Sequence, residues 1–277
     1  IKDNIEEDEF GITVQKRNGD LQISIPLKKG KEFLGHQQYG VKWLQNCWIS
    51  GYRGCLLADD MGLGKTLQAL SFISWIRKIK EPNQKNKILI VAPVVLLENW
   101  KNEYGRFMEP VFGPFYELHD KGLRDIKMKE ISKTLNIRKE IDVRNKEEAE
   151  KILKMGRGLL LDIHELAKHQ VILTTYETAR DYQFSLGLIK WDVLVLDECQ
   201  KIKTPNAMVT SAIKAMKYEF GLVLTGTPIE NSWVDLWSII DFVQPGYLGS
   251  LREFSKKYQH PLKKEETDRE SLGNELK

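Results

Sequence analysis

The stretch Cys55–Leu70, CLLADDMGLGKTLQAL, decides how the rest of the sequence is read. A short apolar run ends at Ala58, two aspartates follow, Gly62 and Gly64 bracket Leu63, and an apolar periodic segment opens with Lys65 and Thr66. The order is strand, glycine turn, helix, and it aims free backbone N–H groups and the positive end of a helix at an anion. In this reading Gly62, Leu63 and Gly64 bring the backbone close to a phosphate chain. Lys65 reaches the outer phosphates, and the Thr66 hydroxyl can ligate magnesium. The general form of such a loop begins with a glycine five residues before its last one, and here Asp59 holds that place.

A loop of this kind works with a carboxylate at the end of another strand. Trp191–Gln200, WDVLVLDECQ, offers one: four apolar residues, Val193 to Leu196, run into Asp197 and Glu198. Asp197 would hold magnesium through water, and Glu198 would orient and deprotonate an attacking water, because phosphoryl transfer depends on positioning and charge stabilisation. Alone, an acidic pair after a strand is an ordinary solvated strand end or helix cap. Coupled to Lys65 and Thr66 it acquires a chemical meaning.

Around these two motifs the texture alternates. GCLLA, KILIVAP, VILTTYE, WDVLVLDE and FGLVLTGTP are short apolar runs, and between them lie longer amphipathic segments such as KTLQALSFISWIRKI and VVLLENWKNEYGRF. Such alternation predicts an α/β fold, a parallel sheet with helices on both faces. Residues 10–26 alternate apolar and polar on both sides of Asn18-Gly19, which predicts an N-terminal β-hairpin with a tight turn. Residues 121–154 are rich in Lys, Arg and Glu with apolar residues at helical spacing. They are expected to form a helical insertion, either a solvated excursion or a docking site. The division expected is a hairpin extension over 1–30, a nucleotide-binding lobe over 31–250, and a polar tail or linker over 251–277.

Composition narrows the class. The chain has 277 residues, 42% hydrophobic and 29% charged, enough for one large domain or two small ones. The acidic start, IKDNIEEDEF, does not resemble a signal peptide, and the longest apolar run, Ile88–Leu97, is far short of the roughly 20 residues a membrane helix needs. A cytoplasmic or nuclear protein with no membrane partner is expected. The three cysteines, Cys47, Cys55 and Cys199, and five scattered histidines fit neither a disulfide framework nor a zinc site. The net charge of +3 does not argue for nucleic-acid binding, since 42 basic residues face 39 acidic ones.

The ordered set of motifs resembles the Swi/Snf-type ATPases, a branch of the superfamily-two helicases, over most of Phe33–Gly249. LGHQQYGVKWL is similar to the adenine-sensing motif, with Gln37 in the glutamine position and Leu34, Gly35 and His36 replacing the usual Arg-Pro-Tyr. ILIVAPVVLLENWKNE and ILTTYET resemble motifs Ia and Ib, which in the family contact the phosphate backbone of the tracked strand. By position they implicate Pro93, Trp100, Thr174 and Thr175, through side chains or backbone amides, although Trp100 and Tyr176 read equally as core aromatics. DECQ is a motif II variant, and LTGTPIEN resembles motif III. There Thr225 and Thr227 would couple hydrolysis to lobe movement, with Thr227 also able to cap the following helix. DLWSIIDFVQPGYLGS is similar to the Swi/Snf branch in particular.

The resemblance implies a RecA-like lobe that uses ATP and Mg2+, acts on double-stranded DNA, and works with a second RecA-like lobe. The arginine-rich motif that lobe supplies is not in this sequence; Arg252 and Arg269 lie in no such pattern. An arginine finger is worth about 10³ to 10⁵ in rate, so these 277 residues alone are expected to bind ATP and hydrolyse it feebly. The expected activity is nucleic-acid-dependent ATP hydrolysis driving translocation on duplex DNA. A strand-separating DNA or RNA helicase and a nucleotide-gated nucleic-acid clamp are the alternatives. The texture suggests a bacterial or archaeal source, with a nuclear location if eukaryotic.

Overall fold

The structure, a computed structural model, describes residues 16–21, 25–80, 86–127, 160–205, 207–229 and 232–259. Six strands form one sheet: β1 (Gly54–Leu57), β2 (Ile88–Val91), β3 (Tyr116–Leu118), β4 (Val171–Thr174), β5 (Lys190–Asp197) and β6 (Lys217–Leu224). Their spatial order is β1-β6-β5-β2-β4-β3, and every neighbouring pair is parallel. Parallel strands need crossover connections, which helices supply here, with further helices before β1 and after β6 among the described residues. In chain order these are α1 (Gly35–Ile49), α2 (Lys65–Ile79), α3 (Val94–Phe107), α4 (Asp120–Ile126), α5 (Ile163–Leu166), α6 (Tyr176–Asp181), α7 (Gln183–Gly187), α8 (Met208–Lys214), α9 (Trp233–Val243) and α10 (Leu251–Phe254).

Alternation along the strands builds a core on each face, since successive side chains of a strand point to opposite sides. Ile88, Ile90, Val193, Val195, Phe220 and Leu222 join Leu44 and Trp48 of α1, Phe72 and Trp75 of α2, and Trp100 of α3. Leu89, Val91, Leu194, Leu196 and Val223 join Tyr176 of α6, Leu186 of α7, Ile213 of α8 and Phe242 of α9 on the other side. Burial on both faces is why these strands read as continuous apolar runs. Each fully buried Leu, Ile or Phe contributes about 1.5–3 kcal/mol relative to exposure.

Register is what positions the site. Leu57 of β1 pairs with Leu224 of β6, which pairs with Asp197 of β5. Leu196 pairs with Val91 of β2, Val91 with Thr174 of β4, and Thr174 with Leu118 of β3. All six strands therefore end within about one residue of a common line. The loops that follow them stand along one edge of the sheet, where ligands of open α/β sheets collect.

The N-terminal hairpin expected over residues 10–26 lies mostly outside the described residues. In the described part, Lys16–Asp20 forms no strand and lies across the core instead. The Arg17 backbone N–H donates to Ile49 O, its guanidinium donates to Tyr52 O and Glu219 O, and Trp75 Nε1 donates to Asp20 O. Most of the expected 121–154 insertion is likewise outside the described residues; its first turns fall in α4, and Lys127 bridges Leu161 antiparallel. The segment from Leu251, expected as tail, begins with α10, where Ser250 and Glu253 form a reciprocal cap and Phe254 is buried. Among the described residues no helix is long and apolar enough to cross a membrane.

Candidate active site

Between β1 and α2 the chain makes a turn that needs glycine. Gly62 has φ 84° and Gly64 has φ 80°, both in the left-handed region that side-chain-bearing residues rarely adopt. Gly64 is the N-cap of the 15-residue helix α2 and offers no side chain to cap its first N–H groups, which lie at the positive helix end. The Lys65 ammonium lies back over the loop and donates to the carbonyls of Asp59 and Asp60 at 2.8 and 3.0 Å. Asp59, in the place of the usual glycine, accepts from Gln68 Nε2 at 3.0 Å and so ties the loop to α2. Gln37 packs beneath the loop: its Oε1 accepts from the Leu34 N–H at 3.1 Å, and its Nε2 donates to Leu63 O at 3.3 Å. His36 Nε2 also lies 3.1 Å from Leu63 O.

Two strands over, β5 delivers the carboxylates. Strand spacing puts the loop and the end of β5 about 10 Å apart, with β6 between them. Asp197 is 8% exposed; its Oδ2 accepts from Trp100 Nε1 at 2.8 Å, and its backbone carbonyl accepts from the Tyr176 hydroxyl at 2.9 Å. Burial pushes the Asp197 carboxyl up to about 6; the Trp100 hydrogen bond and the Lys65 charge pull it down, and Glu198 adds to the rise. Glu198 is half-buried with φ 49° and ψ 67°, a left-handed conformation that costs a non-glycine residue on the order of 1–3 kcal/mol. Its Oε2 accepts from Gln200 Nε2 at 2.9 Å.

The loop after β6 closes the gap. The Thr225 N–H donates to Leu57 O at 3.2 Å, and the fully buried Thr225 hydroxyl accepts from the Thr227 N–H at 3.1 Å. Gly226 lies against the phosphate loop: a Cβ there would stand 2.8 Å from Met61 Cγ and 3.7 Å from Lys65 Nζ. Lys203, buried just beyond the DECQ segment, donates to Thr227 O at 3.1 Å. Cys199 contacts Thr225 beneath, its thiol pushed up to about 12 by burial. Phosphate loop, acidic pair and Thr225–Thr227 are thus one connected assembly.

Comparison with known proteins identifies the family that carries this assembly. Residues 36–277 match the family model described as the SNF2-related domain. The chain belongs to the SNF2-related family. It is 39% identical over 274 residues to the Zorya protein ZorD of Escherichia coli O139:H28, covering 96% of this chain and 24% of that protein. It is 30% identical to the ATP-dependent DNA helicase DDM1 of Arabidopsis thaliana, over 97% of this chain and 31% of the relative. The Sulfolobus solfataricus SWI2/SNF2 ATPase core in complex with dsDNA superposes with a TM-score of 0.63 at 31% identity, over 88% of this chain and 42% of that one. The chain therefore spans a quarter to a third of these two curated relatives and under half of the solved core. The parallel sheet matches the RecA-like fold of that core, and relatives named ATP-dependent helicases give the family its use of ATP.

In this SNF2-related lobe the residues present suit a magnesium nucleotide. The helix end at Gly64 is uncapped, a Cβ at Gly62 would meet nothing within 4 Å, and the Lys65 ammonium rests on neutral carbonyls that a phosphate can replace. Asp197 is a buried carboxylate whose ionised form a divalent cation would stabilise. Magnesium takes one or two protein oxygens and leaves its other positions to water and phosphate, as Thr66 with Asp197 would allow. Among the described residues no cluster of three or more His, Cys, Asp or Glu forms an all-protein cage.

The residues expected at a nucleic-acid surface are placed differently from one another. Pro93 is the N-cap of α3 at the strand-end edge, beside Val94 and Val95, which are 54% and 78% exposed. Trp100, Thr174 and Thr175 are turned inward. Trp100 bonds Asp197, the Thr174 hydroxyl donates to Leu118 O at 2.9 Å, and the Thr175 hydroxyl caps α6 by accepting from the Thr178 N–H at 3.1 Å. Sequence reasoning missed Lys203, Gly226 and the Asp59–Gln68 pair. Lys203 sits in an unremarkable polar run, and Gly226 lay in the recognised motif without a role.

Proposed function

We propose that this chain is the first, nucleotide-binding lobe of a motor that couples hydrolysis of magnesium ATP to translocation along double-stranded DNA. The observation that carries the reading is the common line of strand ends. It sets the phosphate loop, Asp197 and Glu198, and the Thr225–Thr227 turn along one edge, in a fold whose solved relative is described as an ATPase core in complex with dsDNA. The α2 N–H groups and Lys65 would hold the phosphates, Gln37 would fix the loop from beneath, and Glu198 would orient and deprotonate the attacking water. Thr66 and Asp197 would hold the magnesium ion, which when bound neutralises charge on the transferring phosphoryl group. Thr225 and Thr227, tied to β1 on one side and to Lys203 on the other, would report nucleotide state to the rest of the motor.

In this reading DNA meets the loops after β2 and β4. Contacts there fall to backbone N–H groups and to residues around Pro93, because Trp100, Thr174 and Thr175 are committed to internal hydrogen bonds. A second RecA-like lobe would complete the site with arginine, so these 277 residues alone bind ATP and turn it over weakly.

The test is steady-state ATP hydrolysis by the full-length protein with no nucleic acid, duplex DNA, single-stranded DNA or RNA, with Glu198→Gln as the inactive control. Strong stimulation by duplex, with little strand separation in a displacement assay, supports the translocase. Preference for single strands or RNA moves the reading to a strand-separating helicase, and absence of stimulation moves it to a nucleotide-gated clamp.

A further inference from the structure

Two aromatic donors from different helices converge on Asp197, and the acid–base chemistry assigned above uses neither. Trp100, in the second turn of α3, points its Nε1–H at Asp197 Oδ2 across 2.8 Å. Tyr176, the first residue of α6, points its hydroxyl at the carbonyl of the same residue across 2.9 Å. Both rings are fully buried, one in each of the two cores, so the donors grip the end of β5 from opposite faces of the sheet.

A buried ring carrying a polar atom usually finds a partner. Trp191 does so here, donating to Leu186 O five residues away. Trp100 and Tyr176, 97 and 21 positions away, both end on one residue at the strand-end edge. Trp100 occupies one lone-pair direction of Oδ2 and the Glu198 backbone also bonds the carboxylate, which limits its rotation and leaves lone pairs for a further ligand. Tyr176 holds the peptide that leads into the left-handed turn at Glu198. The helices bearing them are joined just beyond their strands, where the Ala92 N–H donates to Thr174 O at 3.0 Å, so the two donors are set relative to each other as well.

We propose that Trp100 and Tyr176 are positioning residues for Asp197: one orients its carboxylate toward the metal, the other fixes the backbone from which Asp197 and Glu198 project. The inference rests on the reading of Asp197 as the carboxylate that holds magnesium. Partners that orient a metal-binding group typically change metal affinity or activity by about 10- to 100-fold when removed.

The experiment uses the full-length protein and the variants Trp100→Phe, Tyr176→Phe, Asp197→Asn and Trp100→Phe/Asp197→Asn. The readout is the Mg2+ concentration that gives half of the thermal stabilisation by ATP, measured beside the stabilisation by ATP in EDTA, with kcat and KM taken separately. Trp100→Phe is expected to raise the Mg2+ requirement about 10-fold or more and to lower kcat, with binding of metal-free ATP within about twofold of wild type. Tyr176→Phe, which removes a single oxygen, is expected to lower kcat with KM little changed, and it keeps the proposal testable if the Trp100 variant fails to fold. In the double variant the Trp100 change is expected to add nothing to Asp197→Asn, whereas a merely structural effect would add. Wild-type Mg2+ requirement and kcat in both Phe variants, or additivity in the double variant, would overturn the proposal while the metal reading stands. An Asp197→Asn protein that keeps its Mg2+ dependence would overturn both.

Discussion

Replacing Asp197 by Asn should make the metal-free protein more stable, even though it removes the carboxylate that the proposed function assigns to magnesium. The Asp197 carboxyl is raised from 3.8 to about 6, chiefly because burial at 8% exposure disfavours its charged form. A raised folded-state value means that the stability this group contributes is fully present below pH 3.8 and is lost as pH rises through about 6. Each unit is worth 1.36 kcal/mol, so the ionised carboxylate costs about 3 kcal/mol at neutral pH. Asparagine keeps the shape and an oxygen able to accept from Trp100 Nε1, and it carries no charge to desolvate. Denaturant unfolding of both proteins in EDTA at pH 7.5 and pH 4 is the assay. The expected gap at pH 7.5 favours Asn by up to about 3 kcal/mol, or roughly 6–12 °C in melting temperature, and closes in acid where the aspartate is protonated. With ATP and Mg2+ the order should reverse, since only the aspartate form gains from the ion. An Asn variant no more stable than wild type at pH 7.5, or a gap that persists at pH 4, would refute the argument that this carboxylate is held at a desolvation cost for the sake of function.

Three further outcomes follow from the geometry. Lys203→Met removes the ammonium that holds Thr227 O, and it should lower kcat by about tenfold, the effect of one lost charge-assisted hydrogen bond, while leaving fluorescent-nucleotide affinity within about twofold. The Lys214–Asp241 pair, 2.7 Å apart with both side chains under 10% exposed, is a buried ion pair, so Asp241→Ala should cost about 3–5 kcal/mol by chemical denaturation. Adding Lys214→Met to that variant should recover part of the loss, because it removes the buried ammonium that Asp241 neutralised. Asp59→Gly restores the generic loop pattern but cuts the bond to Gln68, so a fall in stability of about 1 kcal/mol with ATP binding retained is expected from paired melting and nucleotide titration.

Why the strand-end motifs were legible and what packs around them was not comes down to distance along the chain. The phosphate loop and the acidic pair are short-range signals: glycines at Gly62 and Gly64 are needed where φ is positive, and apolar runs stop where the strands reach the ligand edge. Two-sided burial produced apolar runs that identify a parallel sheet without revealing strand order. That order, which inserts β6 between β1 and β5, comes from packing among segments far apart in sequence. Trp100 shows the limit most clearly. In LLENW it reads equally as a core ring or a nucleic-acid contact, and only the fold discloses that a residue 97 positions away takes its N–H.

Other local signals had a second meaning or went unused. Asn18-Gly19 suggested a turn, yet Gly19 serves close packing: a Cβ there would lie 2.6 Å from Ile49 Cγ1 and 3.1 Å from the Trp75 ring. A pattern needing small size looks the same in sequence as one needing a positive φ. Ser250 and Glu253, spaced as a reciprocal helix cap, announced α10 in a stretch read as tail. What orients Asp197 is therefore inherited from the cores on both faces, through Trp100 in one and Tyr176 in the other. A substitution that repacks either core can change catalysis without touching a motif.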